Sequence, residues 1–280
     1  MSDYQSFTLE PFTRVVGARI TGIDMSKPLS DKAKEEIFDA YAKYSVLSFP
    51  GQDISPGAQV EVARMFGTPD EPRKFRLYDE KNHPLVGLIE QDGSEDFIVG
   101  EAWHSDNMDY ENPYSSLVMY QEVSPGVGGD TLFSCMYSAY NALSKPMQEF
   151  LEGKTALNDN TRTSYSAELN TNYTARGKET PDAVEHPVIR THPVTGKKLL
   201  YVNLAFTTQI VGLNRTESDA ILNYLFNLVA TRPDFQCRHV WDAGTLVVWD
   251  NRSLQHYAVP GYKGLRRMRR VEVRGDRPYY

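Results

Sequence analysis

The sequence predicts a mainly antiparallel β-sandwich with helices packed outside it. Six short runs carry that expectation: SVLSF (45–49), SLVMYQ (116–121), DTLFS (130–134), PVIRTH (187–192), KLLYVN (198–203) and TLVVW (245–249). Each alternates or stays apolar over a strand-like length. They do not follow the regular βαβα order of a parallel sheet, and the helix starts between them are few.

Four helices are marked by their first residues. Ser30 precedes DKAKEEIFDAYAKY, in which Ala33, Ile37, Ala40, Tyr41 and Tyr44 fall at helical spacing. Ser55-Pro56 opens GAQVEVARMF, with proline where its missing N–H does no harm. Ser144 begins KPMQEFLEG in the same way, and Thr216 with Asp219 three later resembles a capping box before AILNYLFNLVA. That last helix is expected to stop before Arg232-Pro233. Residues 68–102 and 155–185 are long, polar and weakly patterned, and are expected to be lids over a site; a plain surface loop is the alternative for the second. No internal repeat or low-complexity tract appears, and residues 1–280 are expected to form a single catalytic domain.

Composition narrows the partners. With 30 Lys+Arg against 37 Asp+Glu, the net charge of −7 gives no electrostatic case for nucleic acid or an anionic membrane. A small-molecule substrate is expected, with a homo-oligomeric assembly. Cys135 and Cys237 are too few for a disulfide framework or a thiolate zinc site, which points to a reducing, cytoplasmic setting. No window approaches the roughly 20 apolar residues that span a bilayer.

Any metal must therefore be held by His, Asp or Glu. In WHSDNMD (103–109), His104 and Asp106 stand two apart, and on an extended segment they project from one face. Divalent iron needs a third such ligand and open positions opposite. His83, His186 and His192 each precede proline and read as loop or turn residues, and His239 lies next to a turn. His256 is the best third ligand, because it follows the strand TLVVWD and the turn residues Asp250-Asn251. Downstream, in LRRMRRVEV, Arg266, Met268 and Arg270 share one face of an extended strand, while Arg267 and Arg269 share the other. The second pair reads as a solvated basic edge; the first could grip carboxylates through bidentate hydrogen bonds.

HSD, a distal His256 and Arg266 resemble the taurine dioxygenase and chlorophenoxyacetate dioxygenase (TauD/TfdA) family of Fe(II)- and 2-oxoglutarate-dependent oxygenases. The likeness runs through VVGARITGIDMSKPLSD, VLSFPGQDISPGAQVEVARMFG, WHSD, GGDTLF, RTHPVTGKKLLYVN, FTTQIVGL, WDNRSLQHYAVPGY and RVEVRGDRPYY. It implies a double-stranded β-helix, the cupin-like jelly roll, with His104, Asp106 and His256 as iron ligands and catalytic centre. It also implies 2-oxoglutarate held by Thr131 and an arginine. Counting forward from His256 favours Arg267 and counting back from GDRP favours Arg266; Arg266 is taken, because a loop absorbs one residue more easily than a strand. Arg270 then matches an arginine that often meets an anionic substrate group, and Phe206 a substrate-contacting aromatic that could equally be core.

Two departures argue against taurine. Gly100 stands where taurine-using members place an asparagine, and TPDEPRKF follows FG where they place a histidine. The activity implied is O₂-dependent hydroxylation of an unactivated C–H bond in a small anionic substrate, with CO₂ and succinate as coproducts. If the hydroxyl lands beside a heteroatom, cleavage follows. The alternatives are a zinc hydrolase on the same three ligands and a silent small-anion binding protein on the same fold.

Overall fold

The structure is a computed structural model that describes residues 4–73, 75–94, 98–161 and 183–280. The first third contains β1 (Thr8–Pro11), β2 (Ala18–Thr21), α1 (Asp31–Tyr44), β3 (Val46–Phe49), α2 (Pro56–Phe66), β4 (Pro69–Asp70), β5 (Arg76–Asp79) and β6 (His83–Gln91). The middle contains β7 (Ser116–Val123), β8 (Thr131–Cys135), α3 (Met136–Asn141), α4 (Lys145–Leu151), β9 (Thr155–Asn158), β10 (Val184–Pro187), β11 (Ile189–Thr191), β12 (Lys198–Leu200) and β13 (Thr207–Ile210). The chain ends with α5 (Arg215–Thr231), β14 (Gln236–His239), β15 (Leu246–Asp250), β16 (Leu254–Ala258) and β17 (Arg266–Val273).

A nine-stranded sheet runs β1-β2-β3-β15-β7-β17-β6-β5, with β4 also paired to β17. Among the described residues its strand pairings are antiparallel except β2 with β3. A three-stranded sheet, β14-β8-β16, is the second layer. Strand parity sorts the large sheet's side chains between two cores. Val46, Leu117, Met119, Val247, Trp249 and Met268 point inward, meeting Phe133, Cys135, Cys237 and Leu254 of the smaller sheet. Their neighbours Leu47, Val118, Tyr120, Leu246, Val248 and Val271 point outward, under Ile37 and Ala40 of α1 and Val60 and Ala63 of α2. A further apolar cluster joins α5, through Leu222, Leu225 and Val229, to Leu199, Leu200 and Ile210. The result is the expected β-sandwich with outer helices, a jelly roll. No described helix is long and apolar enough to cross a membrane.

Three of the four helix starts stand where the sequence puts them, with Ser30, Ser55 and Ser144 as N-caps accepting from the backbone three residues on. The fourth is displaced. Asn214 caps α5 and Glu217 closes the box, so Thr216 lies inside the first turn. Residues 68–102 are more ordered than expected: up to Gln91 they hold β4, β5 and β6, all members of the large sheet, while Val99 and Gly100 beyond them line the cavity described below. Of the second expected lid, 155–185, the ends form β9 and β10, and residues 162–182 lie outside the described residues.

The solvated-edge reading of Arg267 and Arg269 is likewise corrected. β17 is an inner strand between β7 and β6. Arg269 is buried against Glu122 and donates to the Ile54 carbonyl. Arg267 is half-buried between Glu90 and Glu122. Charged residues survive there because carboxylates and carbonyls on neighbouring strands answer them. His83, His186 and His239 stand on β6, β10 and β14, and only His192 keeps its turn, between β11 and β12.

Candidate metal centre

His104 and His256 face one another across an isolated antiparallel bridge. His104 N–H donates to the His256 carbonyl at 3.1 Å and His256 N–H to the His104 carbonyl at 2.8 Å. Directly opposed residues project to one face, so the two rings meet with centroids 4.0 Å apart. The chain does not stay extended as far as Asp106. Residues 106–109 form a turn with Asn107 in the left-handed region at φ 57°. Asp106 enters from the start of that turn, with Oδ1 3.5 Å from His104 Nε2 and Oδ2 3.7 Å from His256 Nε2. One ligand atom of each residue lies within 4.8 Å of the other two, and all three side chains are buried.

The donor set and its surroundings fit a divalent metal. His104 Nδ1 lies 2.6 Å from the Ala102 carbonyl and donates to it, which leaves Nε2 bare toward the cluster. His256 Nδ1 is buried with no hydrogen-bond partner. Burial, then the nearby His104, push the His256 imidazole down to about 3, against the pull of Asp106. Burial pushes the Asp106 carboxyl up, but Arg270, His256 and His104 outweigh it and hold it below the usual carboxylate range. Two imidazoles and one carboxylate are the ligand set that non-haem Fe(II) takes.

A second layer of contacts fixes Asp106. Asn251, fully buried, accepts from Asp106 N–H at 2.8 Å and donates to the carbonyls of Asp106 and Tyr114 at 3.0 and 2.9 Å. Its neighbour Asp250 receives Arg252 Nε and Nη2, both at 2.9 Å, and His192 Nε2 at 2.9 Å. His192 Nδ1 accepts from the backbone N–H groups of Val194 and Thr195, so Nε2 carries the proton. His186 Nε2 reaches the Met108 and Tyr110 carbonyls and holds the far side of the turn. Asn251, expected in a turn, and His186 and His192, expected in loops or turns, carry these contacts beyond what their sequence positions indicate. The run WDNR was the one available signal, since a buried aspartate-asparagine pair at a strand end needs partners.

Thr131, Arg266 and Arg270 line the same cavity as the three candidate ligands, with Phe75, Ile89, Met119 and Trp249 among its apolar walls. The cavity measures about 60 Å³. Thr131 opens β8, and its hydroxyl accepts from Trp241 Nε1 at 2.9 Å, leaving its own hydrogen to donate elsewhere. Arg266 is buried, its Nε has no hydrogen-bond partner, and it makes no ion pair among the described residues. Gly129 makes room for it: a Cβ there would come within 3.1 Å of Arg266 Cδ, and its φ is +71°. Gly100 is similar, with φ +86° and a virtual Cβ 3.2 Å from His104 Cε1, so the backbone here disfavours an asparagine. Arg267 points to the opposite face. Phe206 is away from the cavity's lining, packed in the cluster that includes Trp103 and Met108.

The family described as "Taurine catabolism dioxygenase TauD, TfdA family" matches residues 8–271. An alpha-ketoglutarate-dependent sulfonate dioxygenase of Saccharomyces cerevisiae is 34% identical over 267 residues, covering 90% of this chain. The match spans 62% of that relative's length. An alkylsulfatase of Acinetobacter baylyi is 31% identical, over 97% of this chain and 86% of its own. The crystal structure of a taurine dioxygenase from Burkholderia xenovorans superposes with a TM-score of 0.83 at 28% identity, covering 98% of this chain and 91% of that one. The chain belongs to the taurine catabolism dioxygenase TauD, TfdA family.

Proposed function

We propose that the protein is an Fe(II)- and 2-oxoglutarate-dependent dioxygenase that hydroxylates an unactivated C–H bond of a small anionic substrate, a sulfonate or sulfate ester. The convergence of His104, Asp106 and His256 on one cavity carries the proposal. The sulfonate dioxygenase and alkylsulfatase relatives support the substrate class. The two free, buried cysteines agree with a reducing, cytoplasmic setting.

In this reading, His104, Asp106 and His256 would hold iron. When bound, iron with 2-oxoglutarate and O₂ supplies an oxidant able to break an aliphatic C–H bond, with CO₂ and succinate as coproducts. Arg266 would take the distal carboxylate of 2-oxoglutarate, which gives this buried guanidinium the anion it needs. Thr131 would donate its hydroxyl hydrogen to the same carboxylate, oriented by the Trp241 indole. The apolar walls exclude water from the reacting carbon. A zinc hydrolase would leave Arg266 facing the cavity with Tyr262 and the nearby Asp130 but no carboxylate of its own to bind.

The test is an anaerobic optical titration of metal-free protein with Fe(II), then 2-oxoglutarate. A visible metal-to-ligand charge-transfer band should appear in the wild type and be lost in His104→Ala. Metal uptake without that band would point to a different chemistry. Once the band is seen, sulfonates, sulfate esters and carboxylates can be ranked by succinate release.

A further inference from the structure

Arg266 on β17 and Gln91 on β6 are direct cross-strand partners, and so project from one face of the large sheet. That face is the cavity's. Ile89, two residues before Gln91, lines the cavity together with Arg266. Gln91 is 2% exposed and Arg266 6%. Among the described residues, Gln91 Oε1, Gln91 Nε2 and Arg266 Nε all lack a hydrogen-bond partner. Buried amides are ordinarily paired, and here the unmet groups belong to two residues that face each other across one strand pair.

The other neighbours of the guanidinium leave its charge in place. The Tyr262 ring centroid lies 6.0 Å from the guanidinium carbon. Asp130, the nearby acid, is bonded to Arg238 at 2.5 Å. Glu90 and Glu122, the acids of β6 and β7, meet Arg267 and Arg269 on the opposite face. Across β6, therefore, Arg266 faces an amide where Arg267 faces a carboxylate. A glutamate at position 91 would pair with Arg266 and cancel the charge that an anion in the cavity needs, whereas an amide accepts a hydrogen bond and stays neutral. On the reading that Arg266 takes the distal carboxylate of 2-oxoglutarate, we propose that Gln91 is the positioning residue for Arg266. Gln91 Oε1 accepts from Arg266 Nε, which fixes the guanidinium plane and leaves both Nη groups for the carboxylate. Gln91 Nε2 is left to donate to the same anion.

The test is calorimetric binding of two keto acids to Mn(II)-loaded protein. One is 2-oxoglutarate; the other is 2-oxopentanoate, which ends in a methyl group where the first has its distal carboxylate. Gln91→Glu should weaken 2-oxoglutarate about 10- to 100-fold, the scale of a lost charge-assisted hydrogen bond. Gln91→Met keeps the length and loses both polar atoms, and should weaken it about fivefold, the scale of a neutral hydrogen bond. In both variants 2-oxopentanoate should bind within about twofold of wild type, because its chelating end is untouched. Gln91→Glu within about twofold of wild type for 2-oxoglutarate would overturn the proposal. So would equal losses for the two keto acids, which would place the effect at the metal end or in the fold. If Gln91→Glu does not fold, Gln91→Met decides alone, and a change below about twofold there overturns it. A wild type that binds the two keto acids equally would remove the assignment of Arg266 to the distal carboxylate, and the role of Gln91 with it.

Discussion

Arg266 and Arg267 are adjacent, chemically identical, and separated by strand parity alone. Arg266 shares the inward face with Met268 in the sandwich core, while Arg267 lies among Glu90 and Glu122 with its side chain 37% exposed. Arg266→Ala is expected to raise the 2-oxoglutarate requirement roughly 10- to 100-fold, the effect of removing a charge-assisted contact worth about 1.5–3 kcal/mol. Arg267→Ala should stay within about twofold, since its partners are Glu90 and Glu122 on the face opposite the candidate cavity. Initial rates against 2-oxoglutarate concentration check both, and a larger effect at Arg267 would reverse the assignment. At this scale the candidate ligands were legible because imidazole and carboxylate are local chemistry and spacing narrows the choice. Their supports were not. Nothing local distinguishes Asn251 as a buried clamp from Asn251 as a turn former, because its partners, Asp106 and Tyr114, lie 145 and 137 residues away.

Elements were legible where their signal is complete within a short window. Ser30, Ser55 and Ser144 announce helices because a cap and the backbone N–H that donates to it are three residues apart. At α5 the expected pair, Thr216 with Asp219, gives way to Asn214 with Glu217, which forms both reciprocal bonds. Asn214→Ala should therefore cost about 1 kcal/mol of unfolding free energy. Thr216→Ala should cost less than about 0.5 kcal/mol. Urea denaturation at constant m-value compares them, and equal losses would speak against the assigned cap. The six expected strands are all present because each buries most of its residues. β5 and β6 escaped notice for the opposite reason. β5 is partly exposed, and β6 runs from a polar start through Gly87, so the apolar stretch VGLI is masked by its surroundings. β16 was hidden because LQHYA breaks its apolar run with Gln255, which donates to the Val202 carbonyl, and with His256.

At the scale of the whole molecule, His239 ties the two layers together. It stands on β14 of the small sheet, and its Nε2 lies 2.8 Å from Ser48 Oγ on β3 of the large one. Its ring packs edge-on against Trp241 at 4.6 Å, and Trp241 in turn donates to Thr131 in the candidate site. Burial, with Arg19 nearby, pushes the His239 imidazole down to about 3. A folded-state value below the unfolded one, about 6.5, means that the unfolded chain binds the extra proton first. The stabilisation from the neutral ring is therefore complete above about pH 6.5 and is lost as pH falls from there toward 3. Inside that window the slope is at most about 1.4 kcal/mol per pH unit. Other groups titrate as well, among them His186, pushed by burial to about 4. The difference between wild type and His239→Gln isolates the one of interest. Both should be compared by urea unfolding from pH 7.5 to 4. The wild type should lose stability more steeply below pH 6.5, with the two curves parallel above it. Parallel curves throughout would mean that His239 is already protonated or solvated in the folded protein, and that the two sheets are not joined there by a dry hydrogen bond.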